Sequence, residues 1–392
     1  MDTSLAHHKP RRLDTSSSSS DCLPSVIALS PSGDHLAVGC SNGDICIWKL
    51  PLGEDTTATH RVSIHDLQGV GISSATWVSD TLVTFGRQNG LVAVVKLDYV
   101  KESLSIMNLE ADDSLQPIQF ISYNTQLMLM ATVTANSISV WEWQEPQWTL
   151  WKKIRTFSAH NAPAVSRIEE NPVRITSLHW LREYKGVKAP LLVSFLYHGV
   201  KIIDTTTEQT VYTLPIRTDV GSLSLSKDET MVATNNMHNG FTLYSLPYGT
   251  PMGHFTEHNL HPTATSNFLN SDRLLVYPSG AGALKLGDIL SKSSLASVGG
   301  TNCDQSRILA AEARSLEGYN DCPIFVTLAQ NTRLTQARHV TVWECFGEAD
   351  MVLLEMQRNH RFFSMVASCV AITGIIATWY LTSRGANAFG VL

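Results

Sequence analysis

Short runs of alternating apolar and polar residues, separated by turn residues, fill most of this chain. The clearest runs are residues 25–29, 34–39 and 45–50, and the last two are joined by the pair Asn42-Gly43. Asn-Gly is the strongest short hairpin signal, because both central positions of a type I′ turn need a positive φ. The pattern therefore predicts a three-stranded antiparallel meander over residues 25–50.

Six further copies of this pattern follow, at intervals of about 40 to 60 residues. Their turns, or the segments that hold them, are Asn89-Gly90, Ala135-Asn136, His198-Gly199, Asn239-Gly240, Gly280 to Gly282, and residues 306–344. Blades of four short strands repeated at this spacing are typical of a propeller. We therefore predict an all-β fold, a seven-bladed β-propeller over residues 23–356. The fourth strands are expected in the spacers, for example at residues 210–214 and 252–255.

The segments at the two ends of the propeller region decide how its ring closes. Residues 1–22 contain a run of five serines at 16–20 and few apolar residues, so we expect a disordered, Ser-rich tail. Such a tail is a poor candidate for a strand that closes the ring. We therefore expect the seventh blade to close on itself, with residues 351–356 as its outer strand.

The first repeat resembles the WD-repeat family. The resemblance rests on the run Ser-Pro-Ser-Gly-Asp-His-Leu-Ala-Val-Gly at 30–39 and on Gly-Asp-Ile-Cys-Ile-Trp at 43–48. A second echo is a histidine in front of several repeats, at His65, His160 and His258. In that family such a histidine belongs to a hydrogen-bonded network with a turn Asp, a Ser or Thr, and the Trp. The resemblance implies a WD-repeat-like propeller, which is a fold that serves many functions.

A different pattern begins after the last repeat. Residues 362–382 carry no formal charge over 21 positions, which is the length that a helix needs to cross a hydrocarbon core of about 30 Å. We predict a C-terminal transmembrane helix here, within a juxtamembrane and membrane segment at 357–382 that is followed by a short tail at 383–392. Its anchoring side chains are Phe362, Val366, Val370, Ile372, Ile375, Ile376, Trp379, Tyr380 and Leu381. The alternative is a buried helix that closes one end of the propeller.

The charges that flank this segment predict its orientation. Arg358, His360 and Arg361 precede it, and Arg384 is the one charged residue after it. Basic residues favour the cytosolic side of a membrane, so we expect a tail-anchored, single-pass protein with its propeller in the cytosol. The single basic residue in the tail favours the endoplasmic reticulum over the outer mitochondrial membrane.

Charge and cysteine content narrow the function classes. The net charge is −6 and basic residues are not grouped in blocks, so nucleic-acid binding is not expected. Seven scattered cysteines without CxxC spacing favour neither a zinc site nor a disulfide framework, and fit a reducing compartment. Cys40 and Cys46 flank one hairpin, and we expect both to be small buried thiols.

No catalytic or cofactor motif is present in the sequence. His254, Glu257, His258 and His261 lie close together, but their order is not HExxH. We therefore expect no enzyme activity, no metal or other cofactor, and no small-molecule substrate.

One basic and aromatic stretch is a candidate for binding another protein. It comprises Trp148, Trp151, Lys152 and Lys153, because Trp with charged neighbours is common at binding hot spots. Alternation of Trp148, Leu150 and Lys152 fits an outer strand with one packed face.

Two function hypotheses remain open at this point. The first is a membrane-tethered scaffold that binds unidentified protein partners through its propeller loops, with residues 362–382 in the lipid bilayer. The second is a guanine-nucleotide exchange factor, because the layout resembles the endoplasmic-reticulum factor that activates the small GTPase of COPII vesicle coats. That family has a Gly-rich, potassium-binding loop in its first blade, and the four residues 40–43 here leave no room for one.

Overall fold

The computed structural model describes residues 3–4, 11–13, 23–50, 61–64, 69–98, 103–110, 115–135, 137–144, 147–155, 173–269, 272–298, 306–315, 323–331 and 338–343. The chain divides into two units, Met1–Cys345 and Phe346–Leu392, and all the described residues belong to the first. In these ranges no helix is long and apolar enough to cross a membrane. The predicted span at 362–382 lies outside the described residues and stays a prediction.

Every regular element in the described ranges is a β-strand, and the strands form six four-stranded sheets and one five-stranded sheet. Two short N-terminal strands come first, β1 (Thr3–Ser4) and β2 (Arg11–Leu13). Blades 1 to 3 contain β3 (Pro24–Leu29), β4 (His35–Cys40), β5 (Ile45–Lys49), β6 (Arg61–Ile64), β7 (Ile72–Ser79), β8 (Leu82–Arg87), β9 (Leu91–Asp98), β10 (Ser103–Glu110), β11 (Ile118–Asn124), β12 (Leu129–Thr134), β13 (Ser137–Gln144) and β14 (Gln147–Arg155). Blades 4 and 5 contain β15 (Ile175–Trp180), β16 (Pro190–Phe195), β17 (Gly199–Asp204), β18 (Thr210–Leu214), β19 (Ser222–Leu225), β20 (Met231–Asn235), β21 (Gly240–Ser245) and β22 (Pro251–Thr256). Blades 6 and 7 contain β23 (Asn267–Leu269), β24 (Leu274–Pro278), β25 (Leu284–Asp288), β26 (Ser293–Val298), β27 (Ser306–Ser315), β28 (Pro323–Asn331) and β29 (Arg338–Trp343).

The seven sheets are arranged in a closed ring and are antiparallel, except where β1 joins blade 6 in parallel. The first strand of each blade contacts the first strand of the next, and β27 of blade 7 contacts β3 of blade 1. This is a seven-bladed β-propeller, as the repeat pattern predicted. The predicted fourth strands at 210–214 and 252–255 are confirmed as β18 and β22.

The hydrophobic core lies between blades rather than inside single sheets. One cluster joins Val38 and Trp48 of blade 1 to Val326 and Val340 of blade 7. Comparable clusters join blades 1 and 2, 2 and 3, 3 and 4, 4 and 5, and 5 and 6. A single meander buries little apolar area alone, so each blade depends on its neighbours for stability.

The ring closes differently from our expectation. β2 pairs with β29 as the outer strand of blade 7, with Leu13 opposite Val340. β1 pairs in parallel with β26 at the outer edge of blade 6. The expectation that blade 7 closes on itself is therefore wrong, because β2 takes the place beside β29. Residues 351–356, the strand expected there, lie outside the described residues. Two parts of the expected disordered tail are strands. The N-terminal segment thus pairs with the last blade in the chain.

The two cysteines of the first hairpin have different states. Cys40 and Cys46 are both buried, as expected. Cys40 is disulfide-bonded, however, whereas Cys46 is a buried thiol outside any disulfide. The expectation of two thiols is therefore wrong for Cys40.

Candidate interaction surface

The propeller has two faces that carry different connections. Consecutive antiparallel strands alternate in direction, so turns between the first and second strands and between the third and fourth strands share one face. We call this the lower face. The opposite, upper face carries the turns between the second and third strands and the connections from blade to blade.

The predicted binding stretch lies on β14, the outer strand of blade 3. Trp148, its first aromatic residue, is only 5% exposed. Its ring lies edge-on to Trp143 at 5.3 Å and to Tyr123 at 5.6 Å between ring centroids. Trp148 is thus part of the blade core and is not available to a partner.

A β-bulge exposes the next part of the strand. Val140 pairs with Lys152 but Trp141 pairs with Leu150, so Trp151 has no residue opposite it. An extra residue breaks the two-residue alternation of a strand. Leu150 and Trp151, although adjacent in sequence, are 48% and 41% exposed. Leu150 still alternates with Trp148 and lies opposite the buried Trp141, but the bulge after it places Lys152 opposite Val140, on the other face of the strand. The expected alternation of Trp148, Leu150 and Lys152 on one packed face is therefore wrong at Lys152, and Leu150 is exposed rather than packed.

The basic residues of the stretch have different surroundings. The Lys152 ammonium lies 5.8 Å from the Trp151 ring centroid and 3.4 Å from Oε1 of Glu208. It also donates to the carbonyl of Thr206, so it links blade 3 to blade 4. Lys153 is half-buried. The exposed part of the predicted stretch is therefore the pair Leu150 and Trp151, with the partly buried Lys152 next to it.

Two of the histidines near residue 258 bond within the protein. His254 bonds to Thr242 Oγ1 and to the carbonyl of Asn239, and His261 bonds to Thr263 Oγ1 at 2.8 Å. No group of three or more potential metal ligands occurs among the described residues.

One hydrogen bond of the kind that the WD-repeat resemblance implies, between a Trp and a Thr, is present in blade 3. Trp141 donates its indole N–H to Thr132 Oγ1 at 3.1 Å, which joins the second and third strands of blade 3. In blade 1 the turn is organised locally, since Asn42 Nδ2 donates to Asp44 Oδ2 at 2.9 Å. His258 is exposed. The other two histidines of that pattern, His65 and His160, lie outside the described residues.

A second set of contacts joins neighbouring blades through acidic side chains on the lower face. Asp80 Oδ1 accepts the N–H of Ser32 at 3.0 Å. Glu229 accepts the N–H of Arg182 at 2.9 Å. In each case an acid in one turn between first and second strands binds the backbone of the same turn in the preceding blade.

Asp272 makes the fullest contact of this kind. Its two carboxylate oxygens accept the N–H groups of Lys227 and Asp228, both at 2.9 Å. Sequence reasoning missed these acids, because the paired turns lie 44 to 48 residues apart and each acid alone looks like an ordinary turn residue.

Two tryptophans make a related contact nearer the axis. Trp77 donates its indole N–H to the carbonyl of Ala28 at 3.0 Å, and Trp180 donates to that of Ser122 at 3.2 Å. Both lie near the end of the first strand of their blade and bond to the first strand of the blade before. The half-buried His179, next to Trp180, bonds to the carbonyl of Leu223 in the following blade, and desolvation lowers its pKa.

Comparison with known proteins agrees with the fold. No family model and no curated protein matches the sequence. Among solved structures, a chain from a crystal structure of the mitotic checkpoint complex is similar, with a TM-score of 0.60 and 13% identity. The match covers 88% of this chain and 97% of that chain. At this identity the likeness shows the fold alone.

Proposed function

We propose that this chain is a non-enzymatic scaffold for protein interaction, tethered to a membrane by residues 362–382. The observation that carries the interaction part is the exposed pair Leu150 and Trp151, which a bulge presents beside a rigid aromatic cluster. Aromatic side chains on a preorganised surface are typical binding hot spots. The similar chain of known structure comes from a multiprotein complex, which fits such a role.

The tether is inferred from the sequence, and its side from the flanking charges. The basic residues before position 362 favour a cytosolic propeller, and the uneven flanks favour the endoplasmic reticulum. The disulfide at Cys40 points the other way, because disulfides persist mainly in oxidising compartments. The side of the membrane is therefore the first quantity to measure.

Protease protection on sealed microsomes makes that measurement. Epitope tags are placed at both ends of the full chain. A cytosolic propeller predicts that the N-terminal tag is digested while the C-terminal tag survives. Protection of the N-terminal tag would place the propeller in the lumen. Extraction of the intact protein by carbonate would refute the proposed membrane tether.

Proximity labelling tests the interaction surface. The variant Trp151→Ala with Leu150→Ser should lose the partners that the wild-type chain labels. Ile106→Ser is the matched control, because Ile106 is exposed on the outer strand of blade 2. Equal labelling by all three chains would refute the assignment of this surface.

One assay distinguishes the scaffold from the exchange-factor alternative. The β4–β5 connection is the tight turn at residues 41–44, which favours the scaffold because it leaves no room for a Gly-rich loop. Accelerated nucleotide release from a COPII-type GTPase by the purified chain would reverse that preference.

A further inference from the structure

The lower face carries most of the exposed apolar side chains at turn tips. Leu290 is 81% exposed in the β25–β26 turn, and Tyr248 is 71% exposed in the β21–β22 turn. Leu127 and Met128 are exposed in the β11–β12 turn. Among described residues of the upper face, Leu115 is the corresponding exposed apolar residue. The lower-face residues thus follow an arc from blade 3 to blade 6.

Basic residues surround these tips. The exposed basic side chains in the lower-face turns of blades 4 to 6 are Arg182, Lys185, Lys188, Lys227, Arg273 and Lys292. The exposed acidic ones in the same described turns are Glu183, Glu208 and Asp228. In a chain with a net charge of −6, the exposed charged side chains of these described turns are therefore mainly basic, six against three.

Four other acids of this arc bond within the protein. The carboxylate of Glu229 accepts a backbone N–H and pairs with Arg182 at 3.5 Å. Asp272 is buried and accepts two backbone N–H groups of the preceding blade. Asp204 and Asp288 are buried and accept hydrogen bonds within their own turns. The side chains that remain exposed on the arc are therefore mainly basic.

The chain also leaves the described propeller at this face. β29 is the third strand of blade 7, and its last residue, Trp343, lies opposite Phe325 near the start of β28. Because the third strand of every blade ends at the lower face, Trp343 lies at the lower face of blade 7. Residues 344–361 then connect to the apolar segment at 362–382.

We infer that the lower face of blades 3 to 6 rests on an anionic lipid bilayer. Leu290 and Tyr248 enter the interface between headgroups and acyl chains, and the basic residues contact lipid phosphates. An apolar tip with a basic border suits a bilayer surface, where burial and attraction to anionic lipid act together. The inference rests on the proposed membrane tether and adds which face of the propeller the membrane meets.

Depth-dependent quenching tests this orientation in the full chain. An environment-sensitive fluorescent amino acid replaces Leu290, Tyr248 or, as the control, His238. His238 is exposed in the β20–β21 turn of the upper face. Each chain is reconstituted into vesicles of phosphatidylcholine and phosphatidylserine that contain a nitroxide-labelled lipid. We expect roughly twofold quenching at 290 and 248 and little at 238, since interfacial side chains lie within about 5–10 Å of the headgroup boundary.

Carbonate extraction of the same vesicles separates this inference from the tether. A resistant protein with equal, weak quenching at 290 and 238 overturns the orientation while the tether stands. An extractable protein without quenching at any position overturns both. If the protein is extractable but is still quenched at 290, the lower face is a peripheral membrane surface and the proposed tether is refuted. Probes at 290 that become shielded only after cytosol is added would assign the face to a protein partner and overturn the inference.

Charge reversal provides a second, independent readout. The triple variant Lys188→Glu, Lys227→Glu and Arg273→Glu should reduce quenching at 290 to the level of position 238 in vesicles that contain phosphatidylserine. The matched control reverses Arg174 and Arg217, which are exposed in upper-face connections. Its quenching should equal that of the unmodified chain. Unchanged quenching in the triple variant, with an unchanged melting temperature, would exclude the electrostatic part of the inference.

Discussion

Asp272 provides the sharpest test of how the blades are held together. Its carboxylate is buried and accepts two backbone hydrogen bonds from the preceding blade, both at 2.9 Å. Its backbone has a φ of +64°, a conformation that Asn and Asp tolerate better than other side chains. Asp272→Asn therefore keeps the backbone preference and the size of the side chain. It replaces one acceptor oxygen with an NH₂ group that faces a donor.

The expected cost follows from the bonds that are lost. A hydrogen bond to a charged group contributes about 1.5–3 kcal/mol, and an unmet buried partner adds to the loss. The donors belong to exposed residues, Lys227 and Asp228, so water can replace part of the lost interaction. We expect a loss of about 2 kcal/mol in the free energy of unfolding. At about 2.1 cal/mol/K per residue, a propeller of about 340 residues has an unfolding entropy of about 0.7 kcal/mol/K, so this loss corresponds to about 3 °C in melting temperature.

Differential scanning fluorimetry of the full chain in detergent measures this shift. Glu183→Gln is the matched control, because it removes an acid that is exposed in a lower-face turn of blade 4. We expect Glu183→Gln to melt within about 1 °C of the wild type, as is usual for exposed substitutions. Equal melting temperatures for Asp272→Asn, Glu183→Gln and the wild type would refute the role of the acid in joining blades.

Three further experiments test other parts of the fold. Gly43→Val should cost more than about 2 kcal/mol, because φ is +93° and a Cβ would lie 2.8 Å from a backbone oxygen. Gly69→Ala has a φ of +65° but open space around it, so thermal melting should show a smaller loss, and equal losses would contradict the steric argument. Trp180→Phe keeps an aromatic side chain but removes the indole bond to Ser122 and part of the buried ring. Chemical denaturation should therefore show a loss of at least about 1 kcal/mol, and no loss would mean that the bond is not stabilising. Burial lowers the pKa of His179 below 6.5, so the unfolded chain takes up the proton first and stability should fall as pH drops below about 6.5. His179→Gln should flatten that part of the profile, and an unchanged slope would exclude the histidine.

The repeat architecture could be predicted from the sequence because its signals are local. A turn pair such as Asn42-Gly43 and the alternation around it fix a hairpin without reference to the rest of the chain. The same local rule failed on β14. There the bulge opposite Val140 and Trp141 changes which side chains face outward, and its position depends on pairing with β13. The exposed pair Leu150 and Trp151 is therefore a result of tertiary structure.

The acids that join blades were hidden for a related reason. Asp80, Glu229 and Asp272 each bond to a turn one repeat away, so no window of sequence contains both partners. They occupy the same position in the blade, between its first and second strands. Comparing turns by blade position rather than by residue similarity would have brought them together.

Ring closure shows how average composition can mislead. Residues 1–22 as a whole are polar and Ser-rich, which favours disorder. The three residues of β2, however, are Arg11, Arg12 and Leu13, and charged residues suit the outer edge of a sheet because they discourage further pairing. Leu13 lies opposite Val340 and packs against the cluster shared by blades 7 and 1. A single apolar residue between edge charges is sufficient to set this register, and a composition average over 22 residues cannot detect it. Because β2 precedes blade 1 in sequence and completes blade 7, the ring is held by pairing between the two ends of the propeller, and blades 1 and 7 depend on the same short strand.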